Sequence, residues 1–314
     1  MQNKNFAAVD IGTNSFHLII VNTTGNNSFR IIDREKVVIR LGSRMGNEMN
    51  FITPSEIEEG IKILKKFKKL ADSYNAEMHA VATSAVREAE NKIEFLESVF
   101  NETGIEIEVI SGYKEAEYIY KGIRKAIDIK DKKLLCMDIG GGSTEFILGR
   151  NDDIFFADSI KIGAVRLSKK FFPDFIISDE AIGKCKVYID EQIRKSEKIN
   201  FNEQYDYAIG ASGTILAIAG MLIYRMNGKK IKPLNNFIIK KDELDKLTLE
   251  ILSKKTPEER INIEGMEYKR ADIIPAGLLI LQKAFEIFRI NEMIVSEYAL
   301  REGVVLSMME KVSA

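Results

Sequence analysis

The sequence predicts an α/β protein made of two similar lobes, and three observations lead there. Short apolar runs alternate with segments of helical period along the chain, the pattern of strands and helices packed in layers. Two stretches about 128 positions apart, DIGTNSFHLII (10–20) and DIGGGSTEFIL (138–148), match in outline. Each runs Asp-Ile-Gly, then three small or polar residues with serine at the same offset, then an apolar strand. That spacing is too long for a solenoid and marks two copies of one lobe. A length of 314 residues is comfortable for two domains.

The first lobe is expected over residues 1–125, with a last helix at 298–314 packing back on it, and the second over 126–297. In the first, Phe6 to Val9 is a strand ending in Asp10, and Phe16 to Val21 is its neighbour. Strands are expected at Phe29 to Ile32 and at Val37 to Leu41. Thr53, Pro54 and Glu56 have the spacing of a capping box, and Ile57, Ile61, Leu64 and Ala71 follow at helical period. Lys65, Lys66, Lys68 and Lys69 fall on the other faces and read as solvated. Glu77 to Thr83 is a strand, Ser84 to Phe100 mainly helix, and IEIEVI (105–110) alternates as a half-buried strand. After Ser111 and Gly112 a helix reaches about Ala126, burying Ala116, Ile119, Tyr120 and Ile123.

The second lobe opens with the buried strand Leu134 to Met137 and its glycine hairpin. A strand at Ile154 to Ser159 follows, then a turn at Gly163 and a helix that Pro173 stops near Phe172. A long amphipathic helix covers Ser178 to Ile199. Tyr207 to Gly210 is a short buried strand leading through Ala211 and Ser212-Gly213-Thr214 into a helix through Met221. The remainder reads as helix, broken at Pro233, Thr256–Pro257 and Pro275. A strand lies at Glu292 to Ser296, and a last helix at Tyr298 to Lys311.

Composition narrows the function. At 45% hydrophobic and 30% charged, with net charge -1, the chain can bury a sizeable core, and its global balance points neither to nucleic acid nor to a membrane surface. No run approaches a membrane span, and the N-terminus lacks a signal-peptide pattern, so a cytoplasmic protein is expected. Cys136 and Cys185 read as reduced core residues. Two histidines, His17 and His79, without a Cys/His cluster leave no zinc set, and both read as packed strand residues. Ser143 and Ser212 have no histidine at triad spacing.

The second hairpin carries the chemistry. Asp138 ends its strand, Gly140, Gly141 and Gly142 let bare N–H groups approach an anion, and Ser143, Thr144 and Glu145 follow within eight positions. Carboxylates flanking such a loop suit a hard cation beside a phosphate. Asp138 and Glu145 are thus candidate Mg²⁺ ligands, and Gly140 to Ser143 a phosphate cradle. By the repeat, Gly12, Thr13, Asn14 and Ser15 form a second cradle, and a ligand held by both would lie between the lobes. Asp10 is open to two readings, a further metal ligand or a hydrogen-bonded turn residue.

At this point the chain resembles a known group. The paired hairpins and GASGTILAIAG (210–220) resemble the actin-like ATPase superfamily. ATSAVREAEN (82–91), ISGYKEAEYIYKG (110–122), KIGAVRLSKKFF (161–172), KRADIIPAGLLIL (269–281) and YALREGVV (298–305) resemble, within it, the exopolyphosphatase / guanosine pentaphosphate phosphohydrolase family. The resemblance implies two actin-like (ribonuclease H-like) lobes, with mixed sheets flanked by helices and a cleft between them. It also implies Mg²⁺-dependent removal of terminal phosphate from inorganic polyphosphate. Guanosine pentaphosphate cleaved at the same site, or a polyphosphate or nucleotide sensor without turnover, are the alternatives. A small-molecule kinase would need an adenine pocket and an acceptor base, and neither can be located.

Residue by residue, the resemblance makes Glu115 the base and Arg87 a phosphate contact, and Ser212, Gly213 and Thr214 the segment facing a nucleoside or closing the cleft. Read locally, Glu115 is equally a first-turn glutamate complementing a helix dipole, and Arg87 a surface arginine paired with Glu90 or Asn91. Glu117 points elsewhere. A homodimer is one further expectation from the family. Two departures stand out: Lys114 occupies a position usually acidic before the catalytic glutamate, and the longer members' extra C-terminal helical domains have no counterpart before Ala314.

Overall fold

Alternating apolar and helical-period segments condense into two units, each with its own sheet and core. A computed structural model describes residues 4–25, 28–42 and 50–313. One unit comprises the chain up to Gly122 together with the segment from Leu300 onward, and the other comprises Ile123–Ala299.

In chain order the first unit's elements are β1 (Asn5–Ile11), β2 (Ser15–Thr23), β3 (Phe29–Val38), α1 (Pro54–Ser73), β4 (Glu77–Ala82), α2 (Ser84–Glu88), α3 (Lys92–Thr103), β5 (Ile107–Val109) and α4 (Gly112–Ala126). Its sheet runs β3-β2-β1-β4-β5, with β1, β2 and β3 an antiparallel meander and β1, β4 and β5 parallel. Thr53 and Glu56 close the expected capping box on α1, and Glu56 is fully buried. Phe16, Leu64, Phe67, Phe95 and Val99 fill the core between the sheet and helices α1 and α3. The α1 lysines stay on the wet face, where Lys65, Lys66 and Lys68 pair with Glu102, Glu35 and Asp72.

One expectation needs correction here, and another is refined. The two strands expected between Phe29 and Leu41 are one, β3. The charged run Asp33-Arg34-Glu35-Lys36 pairs continuously along β2, with a register shift between Ile20 and Val21. Ser84–Phe100 is mainly helical as expected, in two pieces, because Ala89 leaves helical geometry and Asn91 clamps the backbone of Ile52 from both sides.

The second unit contains β6 (Leu134–Ile139), β7 (Thr144–Arg150), β8 (Asp153–Ile160), α5 (Ala164–Phe171), α6 (Asp179–Arg194), β9 (Tyr207–Ala211), α7 (Ser212–Asn227), β10 (Ile238–Lys240), α8 (Lys241–Ser253), α9 (Pro257–Ile261), α10 (Ile274–Ile287) and β11 (Glu292–Val295). The final helix α11 (Leu300–Ser313) packs on β1 and β2 of the first unit. Gly303 lets its backbone lie against that of Tyr118 in α4, a contact any side chain would block. The second sheet runs β10-β11-β9-β6-β7-β8. Stripped of β10, it repeats the first: an antiparallel meander of three strands, then two parallel strands reached through helices.

The short strand β10 was not foreseen, and α7 runs six residues beyond Met221. The expected interruption at Pro275 is the start of a new helix, with Pro275 in the first turn of α10, where its missing N–H costs nothing. Cys136 and Cys185 are free and buried, and burial pushes their thiols far above the usual range, Cys185 to about 12. Among the described residues no helix is long and apolar enough to cross a membrane.

Candidate active site

The two hairpins have the same bonding. Gly12 N–H donates to the carbonyl of Ser15 at 3.3 Å, and Gly140 N–H to that of Ser143 at 2.9 Å. Register places Asp10 directly opposite His17, and Asp138 directly opposite Glu145, so each pair shares one face of its sheet. Both turns lie at the carboxyl ends of parallel strands, where α/β sheets commonly hold ligands.

In the second unit the start of α5 sets the glycine loop. Ala164 N–H donates to the Gly140 carbonyl at 2.9 Å, and Val165 and Arg166 N–H both donate to that of Gly141 at 3.0 Å. Arg166 Nε reaches the Gly142 carbonyl at 2.7 Å. A trans peptide points its N–H opposite to its carbonyl. Turning three carbonyls onto α5 therefore turns the N–H groups of Gly141, Gly142 and Ser143 the other way, and among the described residues they meet no acceptor. Successive backbone N–H groups in a turn of this kind suit an anion. Gly163 makes the turn possible, because a Cβ there would collide with the backbone of Gly141 and Gly142.

Asp138 and Glu145 lie side by side at the mouth of this loop, and Glu145 is almost wholly buried. Ser159, the register partner of Glu145 on β8, donates to its Oε1 at 2.7 Å. Two like charges directly opposite in a sheet are destabilising unless a proton or a cation lies between them. Mg²⁺ takes one or two carboxylates, substrate phosphates and several waters, and this pair fits that demand. No group of three or more His, Cys, Asp or Glu side chains is placed to enclose a metal among the described residues. Parallel pairing of β6 with β9 sets Ala211 beside Asp138, so Ser212, Gly213 and Thr214 open α7 at the same end of the sheet. Ser212 takes a φ of 93° and caps Ile215 N–H through its hydroxyl at 3.2 Å. A non-glycine residue held there is strained.

In the first unit, Ser111 caps α4 through Lys114 N–H, placing Glu115 in its first turn. Arg87, on the short helix after β4, donates to Glu115 Oε2 at 2.8 Å and to the Ile110 carbonyl at 3.0 Å. It does not pair with Glu90 or Asn91. Glu115 is only 6% exposed. Burial raises its pKa, the Arg87 guanidinium opposes that, and Glu88 adds like charge. Glu117 turns away to Lys114. Burial lifts Asp10 to about 7 against the pull of Arg301, with Glu115 and Glu302 adding to the rise. Thr13 Oγ1 and Asn14 Oδ1 are buried without a hydrogen-bond partner.

His17 lies on strand β2 as expected and is in addition hydrogen-bonded at both ring nitrogens, to Ser15 Oγ at 2.7 Å and to Arg301 at 3.2 Å. Sequence reasoning missed both it and Arg301, although their positions in the repeated hairpin and in YALREGVV were the available signals. His79 pairs with Glu108 on the surface.

A twice-repeated α/β fold whose glycine turns lie at the carboxyl ends of parallel strands, one beside a carboxylate pair, has the features of phosphoryl-handling proteins. The chain belongs to the Ppx/GppA phosphatase family, whose sequence model matches residues 19–312. It is 35% identical over 323 residues to a bifunctional 3-dehydroquinate synthase/phosphatase of Fusobacterium nucleatum, with 97% of this chain and 46% of that protein covered. It is 30% identical over 311 residues to a guanosine-5'-triphosphate,3'-diphosphate pyrophosphatase of Photobacterium profundum, covering 98% of this chain and 59% of that one. The chain thus spans about half the length of these two relatives. An exopolyphosphatase crystal structure from Cytophaga hutchinsonii superposes with a TM-score of 0.90 at 30% identity, over 98% of both chains.

Proposed function

We propose that this chain is a Mg²⁺-dependent exopolyphosphatase that hydrolyses the terminal phosphate of inorganic polyphosphate. The observation that carries the reading is the glycine turn itself: the carbonyls of Gly140, Gly141 and Gly142 are bonded to α5, which leaves the N–H groups of Gly141, Gly142 and Ser143 for an anion beside the carboxylate pair. Within the first unit, Thr13 Oγ1, buried and unpartnered, supports a phosphate contact at that hairpin.

Phosphoanhydride hydrolysis asks for neutralised phosphoryl oxygens and a positioned water. Asp138 and Glu145 would hold Mg²⁺, which supplies charge neutralisation at the phosphoryl oxygens. The N–H groups of the glycine turn donate to those oxygens. Glu115 accepts the proton of the attacking water, and its raised pKa brings it closer to the operating pH, as a general base requires. Arg87 keeps that carboxylate oriented.

The name of the Photobacterium relative supports guanosine pentaphosphate as a second substrate. Purified protein with Mg²⁺ is incubated with long polyphosphate, with guanosine pentaphosphate, and with ATP plus acceptors, and free phosphate is measured. Release from polyphosphate that disappears in Glu115→Gln is the expected result. Faster release from guanosine pentaphosphate would shift the assignment to the nucleotide, and tight binding without release would make the protein a sensor.

A further inference from the structure

Aligning the two hairpins sets His17 where the second has Glu145, each directly opposite its aspartate. We propose that His17 is a positioning residue that commits the Ser15 hydroxyl to donating its proton to a phosphoryl oxygen, with Arg301 fixing the tautomer. This rests on the reading of the first hairpin as a phosphate grip.

Which atoms can donate fixes the direction of these hydrogen bonds. A guanidinium only donates hydrogen bonds. Arg301 Nη1 lies 3.2 Å from His17 Nδ1, so Nδ1 is the acceptor and the ring proton is on Nε2. Nε2–H lies 2.7 Å from Ser15 Oγ and donates to it. A hydroxyl that accepts in this way must aim its own proton elsewhere, and among the described residues Ser15 Oγ has no other partner. Ser15 is buried, and next to it Thr13 Oγ1 and Asn14 Oδ1 are buried without a hydrogen-bond partner. The turn therefore gathers polar side-chain atoms that lack protein partners.

A double-mutant cycle tests the relay. Steady-state kinetics on polyphosphate and calorimetric titration with tripolyphosphate are run on the wild type, Ser15→Ala, His17→Ala, His17→Gln and the double variant Ser15→Ala/His17→Ala. Each alanine variant is expected to raise KM and weaken tripolyphosphate binding about tenfold, with kcat within about threefold, as loss of one hydrogen bond to a charged group implies. The double variant is expected to match Ser15→Ala alone, because His17 acts only through that hydroxyl. His17→Gln, which retains an N–H donor, is expected to recover most of the loss.

Multiplying effects in the double variant, a fall in kcat at unchanged KM, or His17→Gln no better than His17→Ala would overturn the relay. A wild type that binds no tripolyphosphate and releases no phosphate would overturn the phosphate grip and the relay together. An active wild type with multiplying effects would remove only the relay.

Discussion

Arg87 is the point at which the geometry of the glutamate can be tested most sharply. Replacing it with Met keeps a side chain of similar reach and removes the guanidinium that lies 2.8 Å from Glu115 Oε2. A cation at that distance lowers a carboxylate pKa by roughly 1–3 units, and its loss leaves the burial of Glu115 and the like charge of Glu88 unopposed. The acid limb of the pH–rate profile for phosphate release should therefore move up by about 1–3 units. A glutamate kept protonated cannot accept a proton, so activity near neutrality falls by about tenfold or more.

The same substitution alters stability. The folded protein already holds the Glu115 proton more tightly than the unfolded chain does, so stability declines as pH climbs from the ordinary glutamate range through the raised value. Without Arg87 that decline extends to higher pH. Breaking a buried pair costs about 3–5 kcal/mol, and the cost is relieved where the carboxyl can take up a proton. Thermal melts across roughly pH 5–8 should show Arg87→Met close to wild type at the acid end and well below it at the alkaline end. An acid limb that stays in place, together with melting curves that run parallel, would refute the pairing as the control on this glutamate.

Other expectations follow from single contacts. Gly163→Ala pushes a methyl group into the backbone of Gly141 and Gly142, and calorimetry should show tripolyphosphate affinity reduced about tenfold or more as the glycine turn deforms. Asp138→Asn should raise the Mg²⁺ concentration for half-maximal activity about tenfold, read from a metal titration, while leaving the melting temperature within a few degrees. Arg260 is fully buried and donates to the carbonyls of Ala271, Lys254, Lys255 and Phe175. Arg260→Met should destabilise the protein by about 3 kcal/mol in chemical denaturation, since four carbonyls lose a shared donor.

What could be read in the sequence was local. The Asp-Ile-Gly hairpins, the capping box at Thr53 and the helix opening at Gly112 each lie within a few residues, and their chemistry is carried by residue type and spacing. Strand β3 was misread because Asp33 to Lys36 resembles a break, yet its continuity comes from β2, a partner that supplies hydrogen bonds whatever side chains face the solvent. Three-residue β10 carries too short a pattern to stand out and exists because β11 pairs with it. At the site, the glycines were visible, but not that α5 turns their carbonyls away, since that depends on a close approach at Gly163. His17 was passed over because Arg301, which gives its ring a direction, lies 284 positions along the chain.

The account depends most directly on three backbone amides. Adding tripolyphosphate and Mg²⁺ to ¹⁵N-labelled protein and following amide resonances should move Gly141, Gly142 and Ser143 strongly, with the shifts reaching half their maximum at the concentration that half-saturates turnover. Resonances at those three positions that stay fixed while the protein still releases phosphate would contradict the account.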